Sequence, residues 1–181
     1  MNNPKKIITH TAVSQKWHTT EDVDEWHQKR WPGFTSKKFK NRKGMPYHVG
    51  YHFVIEWDGK VVQTRGYYEE GAHCIGQNRD SIGVCFMGNG DLHTPSTRQK
   101  RSWVSLYNRL HKEIPQITAY DIYPHRKWAN KTCHGRILPD DYYQRLVPAD
   151  PMDKDALKQK IVYLQQLINR LQALILQRRM K

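Results

Sequence analysis

Ten histidines and three cysteines in 181 residues are where chemistry is to be sought first. His10 ends the short run Lys6-Ile7-Ile8-Thr9-His10, while His125 and Cys133 bracket a single loop, His125-Arg126-Lys127-Trp128-Ala129-Asn130-Lys131-Thr132-Cys133. Neutral imidazoles and a thiolate suit Zn²⁺, and three protein ligands leave one coordination position open, the pattern of a catalytic rather than a closed structural site. No Cys-x-x-Cys pair supports a zinc finger, and no His-Glu-x-x-His arrangement supplies a general base. Taken singly, a histidine near a strand end is more often hydrogen-bonded or on the surface, and a lone cysteine is usually a small buried hydrophobe. Spacing alone therefore leaves both readings open. Cys74, Cys85 and Cys133 are odd in number, so no disulfide framework is expected.

Elements able to hold these side chains are legible around them. Lys6–His10 reads as a buried strand. Glu21–Trp31 has Val23, Trp26, His27 and Arg30 at helical spacing with Thr19 or Thr20 as N-cap. Tyr51–Trp57 and Lys60–Arg65 flank Asp58-Gly59, which predicts a hairpin closed by a two-residue turn. Ser81–Met87 is a β-branched run ending in Gly88-Asn89-Gly90 and predicts a central strand. Thr94-Pro95 predicts a helix start, followed by Trp103, Tyr107, Leu110 and Ile114 on one face to about Glu113. Alternating strands and helices without repeats predict an α/β domain over 1–148 with a single mixed central sheet flanked by helices. The Pro-containing stretch 149–152 reads as a linker, and 153–181 as an amphipathic C-terminal α-helix.

The order and wording of these segments resemble the type 2 N-acetylmuramoyl-L-alanine amidases, the family of short phage lysozymes and peptidoglycan recognition proteins. The resemblance runs over residues 5 to 147 and rests on Ile7-Ile8-Thr9-His10-Thr11-Ala12, Trp26-His27, Val49-Gly50-Tyr51-His52-Phe53 with Asp58-Gly59, Gly71-Ala72-His73 with Asn78, Ser81-Ile82-Gly83-Val84, and His125 to Cys133. It implies a zinc-dependent enzyme cleaving the amide between N-acetylmuramic acid and L-alanine of peptidoglycan, of the phage endolysin type. It implies His10, His125 and Cys133 as zinc ligands and Tyr51 and Lys131 as catalytic side chains. From the residues themselves, Tyr51 alternates with Phe53, Ile55 and Trp57 and also fits a core position, and Lys131 is one lysine among many in a basic chain. Two departures stand out. His134-Gly135 replaces the Pro-Gly that follows the ligand cysteine in familiar members, which makes His134 a rival ligand. The Trp31–Gly50 connection is long and carries Lys37, Lys38, Lys40, Arg42 and Lys43 around Phe39. His27, His52 and His73 have supporting or substrate-side readings beside structural ones.

A formal net charge of +13 predicts a soluble chain that seeks polyanions. An anionic wall or envelope surface accounts for it; nucleic acid is a weaker partner, because no recognition helix or RNA-binding motif accompanies the charge. The competing functions are a non-catalytic peptidoglycan-binding module and a basic regulator of nucleic acid or of a polymerase. The opening residues show no signal-peptide h-region, so the expectation is synthesis in the cytoplasm and action on the cell wall. In the last segment Leu157, Ile161, Leu164, Ile168, Leu171 and Ile175 recur at 4, 3, 4, 3, 4, the seam of a coiled coil, which predicts a homo-oligomer through 153–181.

Overall fold

The computed structural model describes residues 1–148 and, beyond them, 162, 164–166, 168, 169 and 172, which are helical. The chain divides into two compact units, Met1–Pro148 and Ala149–Lys181. The predicted linker at 149–152 and most of the predicted helix 153–181 lie outside the described residues.

The first unit carries β1 (Lys6–Thr11), α1 (Thr20–Arg30), β2 (Phe53–Ile55), β3 (Val61–Gln63), β4 (Ser81–Phe86), α2 (Thr97–Glu113), β5 (Ile122–Pro124) and α3 (Tyr142–Arg145). They form one mixed sheet of order β3-β2-β4-β1-β5, in which β2, β4, β1 and β5 run parallel and β3 pairs antiparallel with β2. Helix α2 covers one face. Trp103, Tyr107, Leu110 and the following Ile114 meet Ile7, Phe53, Ile82, Val84 and Phe86 there, and the Trp103 indole N–H donates to the Tyr143 carbonyl at 2.9 Å. Helix α1 covers part of the other face, packing Val23 against Val49, Val54, Cys85 and Met87. Among the described residues no helix is long and apolar enough to cross a membrane.

Four local expectations are corrected. The hairpin turn is one residue longer than predicted: Gly59 N–H donates to Glu56 O at 2.9 Å and Gly59 alone has a positive φ, 91°. A two-residue type I′ turn needs positive φ at both central positions, and Asp58 does not adopt it. Helix α2 starts two residues later than predicted, with Ser96 rather than Thr94 as N-cap, because Ser96 and Gln99 form a reciprocal cap: Gln99 N–H donates to Ser96 Oγ and Ser96 N–H to Gln99 Oε1, both at 3.0 Å. In α1 the buried residues are Thr20, Val23 and Asp24, while Trp26 is 39% exposed. Asp24 goes inward because its carboxylate accepts from the Asn41 amide at 2.8 Å and from the His48 N–H, tying the long basic connection to the helix. The fourth concerns Tyr51. The chain bends at 51–52 before β2 begins, so Tyr51 leaves the Phe53 and Ile55 face and packs with Val54 and Cys85.

Candidate active site

His10 lies one residue before the end of β1, on the face it shares with its register partner Cys85 on β4. His125 follows directly on β5, the parallel neighbour of β1 on the other side. Two strand ends thus bring their histidines together at the carboxyl end of the sheet, with ring centroids 4.5 Å apart. Cys133 is delivered by the loop that returns from His125: Arg126 N–H donates to the Cys133 carbonyl at 2.6 Å, and the Arg126 guanidinium donates to Gly135 O at 2.7 Å and Leu138 O at 2.6 Å. Asp91, in the loop after β4, holds the same segment through Thr132 Oγ1 at 2.9 Å and Arg136 N–H at 2.6 Å. Gly90 and Gly135 lie back to back, where a Cβ on Gly135 would stand 2.5 Å from the Gly90 carbonyl oxygen, so a larger residue at either position would push the loop away.

The result is a cluster of His10, His125 and Cys133 whose ligand atoms all lie within 4.8 Å of one another. Its donor set is fitted to a metal. Cys133 Sγ is 3.8 Å from His10 Nδ1 and accepts the Thr11 N–H at 3.4 Å, a contact that favours a thiolate. His10 Nε2 faces His73 Nδ1 at 3.1 Å, His73 Nε2 faces Ser81 Oγ at 3.5 Å, and Ser81 donates to Gln77 O at 2.6 Å. This chain places the His10 proton on Nε2 and leaves Nδ1 free to coordinate, the usual second partner of a metal-bound histidine. Burial, aided by the neighbouring histidines, holds His10 and His73 well below the ordinary imidazole value, and burial with the Lys131 charge lowers His125. All three are therefore neutral near pH 7. Burial pushes the Cys133 thiol up to about 11.

Tyr51 stands over this cluster, its ring 4.9 Å from His10 and 5.4 Å from His27. Burial and the sulfurs of Cys85 and Cys133 keep its hydroxyl protonated, with Cys85 as hydrogen-bond partner. Lys131 is exposed, and its charge is felt at His125 and Cys133. His134 is not part of the cluster. It points to the other side, with Nδ1 2.7 Å from Thr9 Oγ1, Nε2 3.2 Å from Pro139 O and its ring edge-on to Tyr143 at 4.9 Å. Both ring nitrogens are engaged, so it is no rival ligand. No residue spacing announces the roles of Arg126 and Asp91, whereas His73 takes the supporting one of the readings open to it.

The fold and this cluster define a class. The model of the Amidase_2 family, N-acetylmuramoyl-L-alanine amidase, matches residues 1–136, and the chain belongs to that family. Peptidoglycan-recognition protein SC2 of Drosophila melanogaster is 32% identical over 87 residues, 48% of this chain and 47% of that protein; the match thus spans about half of that relative's length. Peptidoglycan-recognition protein SD of Drosophila simulans is 26% identical over 136 residues, 75% of this chain and 69% of that protein. Among solved structures, the N-acetylmuramoyl-L-alanine amidase LysC from Clostridium intestinale superposes with a TM-score of 0.60 at 24% identity, covering 88% of this chain and 87% of its own. Drosophila peptidoglycan recognition protein SA gives 0.62 at 16% identity over 83% and 84%. At such identities the structures establish the fold.

Proposed function

We propose that the chain is a zinc-dependent peptidoglycan hydrolase of the phage endolysin type, cleaving the amide between N-acetylmuramic acid and L-alanine. The observation that carries this reading is the His10, His125 and Cys133 cluster, with ligand atoms within 4.8 Å, beside Lys131 in a domain of the amidase family. A zinc ion held by His10, His125 and Cys133 would supply Lewis acidity toward an amide carbonyl and would lower the pKa of water to about 7. The protein's own groups do the rest. His73 and Ser81 fix the orientation of His10, and the Thr11 N–H steadies the Cys133 sulfur. Lys131 places a cation where negative charge develops on the carbonyl oxygen. Tyr51, kept protonated, offers a hydroxyl donor over the same space. A non-catalytic binder would have no use for three converging ligands and Lys131 together, and no nucleic-acid motif supports a regulator. The basic connection at 37–43 suits contact with an anionic envelope surface.

Zinc uptake tests the ligand set without reference to activity. Neutral histidines have no proton to lose, whereas a thiol held near 11 must lose one and a zinc-bound water of pKa about 7 loses roughly half of one, so binding near pH 7 should release between one and two protons per zinc. Calorimetry in buffers of different ionisation enthalpy measures this count; a release clearly below one proton would remove Cys133 from the ligand set.

The tail is assigned to self-association. Of its seam, Leu164 and Ile168 are among the described residues, both helical and each 47% exposed. An amphipathic helix of this length is marginal alone in water and needs a partner. Sedimentation of the full chain at tens of micromolar should show an oligomer and a chain ending at Asp150 a monomer. A monomeric full chain would refute the assignment.

A further inference from the structure

The site described above leaves one buried cation unused. Arg65, just after β3, is 2% exposed, and among the described residues it is the one buried lysine or arginine. Its Nε donates to Val49 O at 2.6 Å and its guanidinium stacks 3.9 Å from the Phe34 ring centroid, but Nη2 reaches the Phe34 carbonyl only at 3.5 Å. No ion pair within 4.0 Å involves it among the described residues. The nearby Glu69 carboxylate is taken by Ser36 Oγ and by the N–H groups of Lys37 and Gly66, and Glu70 pairs with Arg79 at 3.3 Å. Burial lowers the Arg65 pKa to about 10, which still leaves the group charged at neutral pH. The Glu69 carboxylate is the opposite charge felt at Arg65 but makes no ion pair with it, so a guanidinium with only one long Nη hydrogen bond is left able to take a further anion.

Arg65 lines a cavity of about 930 Å³ at the outer edge of β3, the opposite sheet edge from β5. None of His10, His125, Cys133, Tyr51 or Lys131 lines it. Phe34, Phe39 and Tyr67 supply aromatic walls, the exposed Lys37 and Lys38 stand at the rim, and Glu69 and Glu70, engaged as described, also line it. We propose that this cavity is a second binding site, taking an oxyanion carried on a sugar, with Arg65 gripping the anion and the aromatic rings flanking the sugar. A planar guanidinium fork matches carboxylate or phosphate, and the rim lysines raise the local concentration of either. The sources are named on the strength of the hydrolase reading. Water adding across the muramoyl amide leaves the amine on L-alanine and a carboxylate on the lactyl group, so a stripped glycan strand bears such anions. Anionic envelope polymers bear phosphates.

The test is an NMR titration of the isotope-labelled, zinc-loaded full chain with N-acetylmuramic acid, with glucose 1-phosphate and with neutral N-acetylglucosamine. Expected are saturable shifts at residues 34–39 and 63–70 with at least one anionic sugar and none there with the neutral one; the tighter anion names the source. Lys37→Gln with Lys38→Gln should raise the Kd at least ~5-fold, and Arg65→Lys, which keeps the charge but loses the fork, at least ~10-fold. If Arg65→Lys fails to fold, the lysine pair decides. Absence of saturation, equal shifts with the neutral sugar, or shifts confined to the surroundings of His10 and Cys133 would overturn the proposal. Binding is read without cleavage, so a chain that binds an anionic sugar here but leaves peptidoglycan intact keeps this site and loses the hydrolase reading.

Discussion

Lys131→Ala should retain one zinc per chain and lose about 10²–10³ in kcat, the cost of removing one donor to a developing oxyanion. The side chain is exposed at the rim of the cluster, two residues before Cys133, and its charge reaches His125 and Cys133. It is no ligand, so the metal stays. In the proposed role its interaction with substrate strengthens only as the carbonyl oxygen becomes negative, so kcat and kcat/KM should fall together with KM little changed. Cys133→Ala should behave differently, losing zinc and thermal stability together because metal binding is linked to folding. Elemental analysis beside steady-state kinetics separates the two variants; equal loss of metal from both would show that Lys131 is misassigned.

Acid should destabilise the metal-free protein by about 4 kcal/mol between pH 7.5 and pH 5, from His27 and His52 alone. Burial lowers both to about 4 from the ordinary 6.5. Each is wired as a neutral ring. His52 Nδ1 accepts the Gly83 N–H at 3.0 Å while Nε2 lies 2.9 Å from Glu69 O, and His27 Nδ1 accepts the Gly50 N–H at 2.8 Å. A proton on Nδ1 would oppose those N–H donors. Below pH 6.5 the unfolded chain binds protons that the folded chain refuses, so stability is full above that value and falls as pH drops toward 4. At pH 5 each histidine accounts for about 2 kcal/mol. Urea unfolding in chelator at the two pH values measures the difference, and a pH-independent midpoint would contradict the neutral buried rings.

Much of this was legible from local pattern. The strand at Lys6–Thr11, the central strand at Ser81–Phe86 and the buried face of α2 carry their periodicity in neighbouring residues, and His10, His125 and Cys133 converge as the resemblance implied. What escaped depended on facing. Tyr51 leaves its expected sheet face because of a bend that no spacing announces. His134 turns away from the cluster because Thr9 and Pro139 accommodate its two nitrogens on the other side. The Ser96–Gln99 cap was present in the sequence as Ser-x-x-Gln, yet Thr94-Pro95 looked the stronger start. Arg65 gave no signal at all, since its burial is made by Phe34 and Val49 from a distant segment.

Digestion of purified peptidoglycan with the zinc-loaded chain, followed by mass spectrometry of the products, decides whether the chain is an amidase. Free L-alanine amino termini on released stem peptides, lost with chelator and restored by Zn²⁺, are the predicted result. New reducing sugar ends without those termini, or an intact wall under zinc, would contradict it.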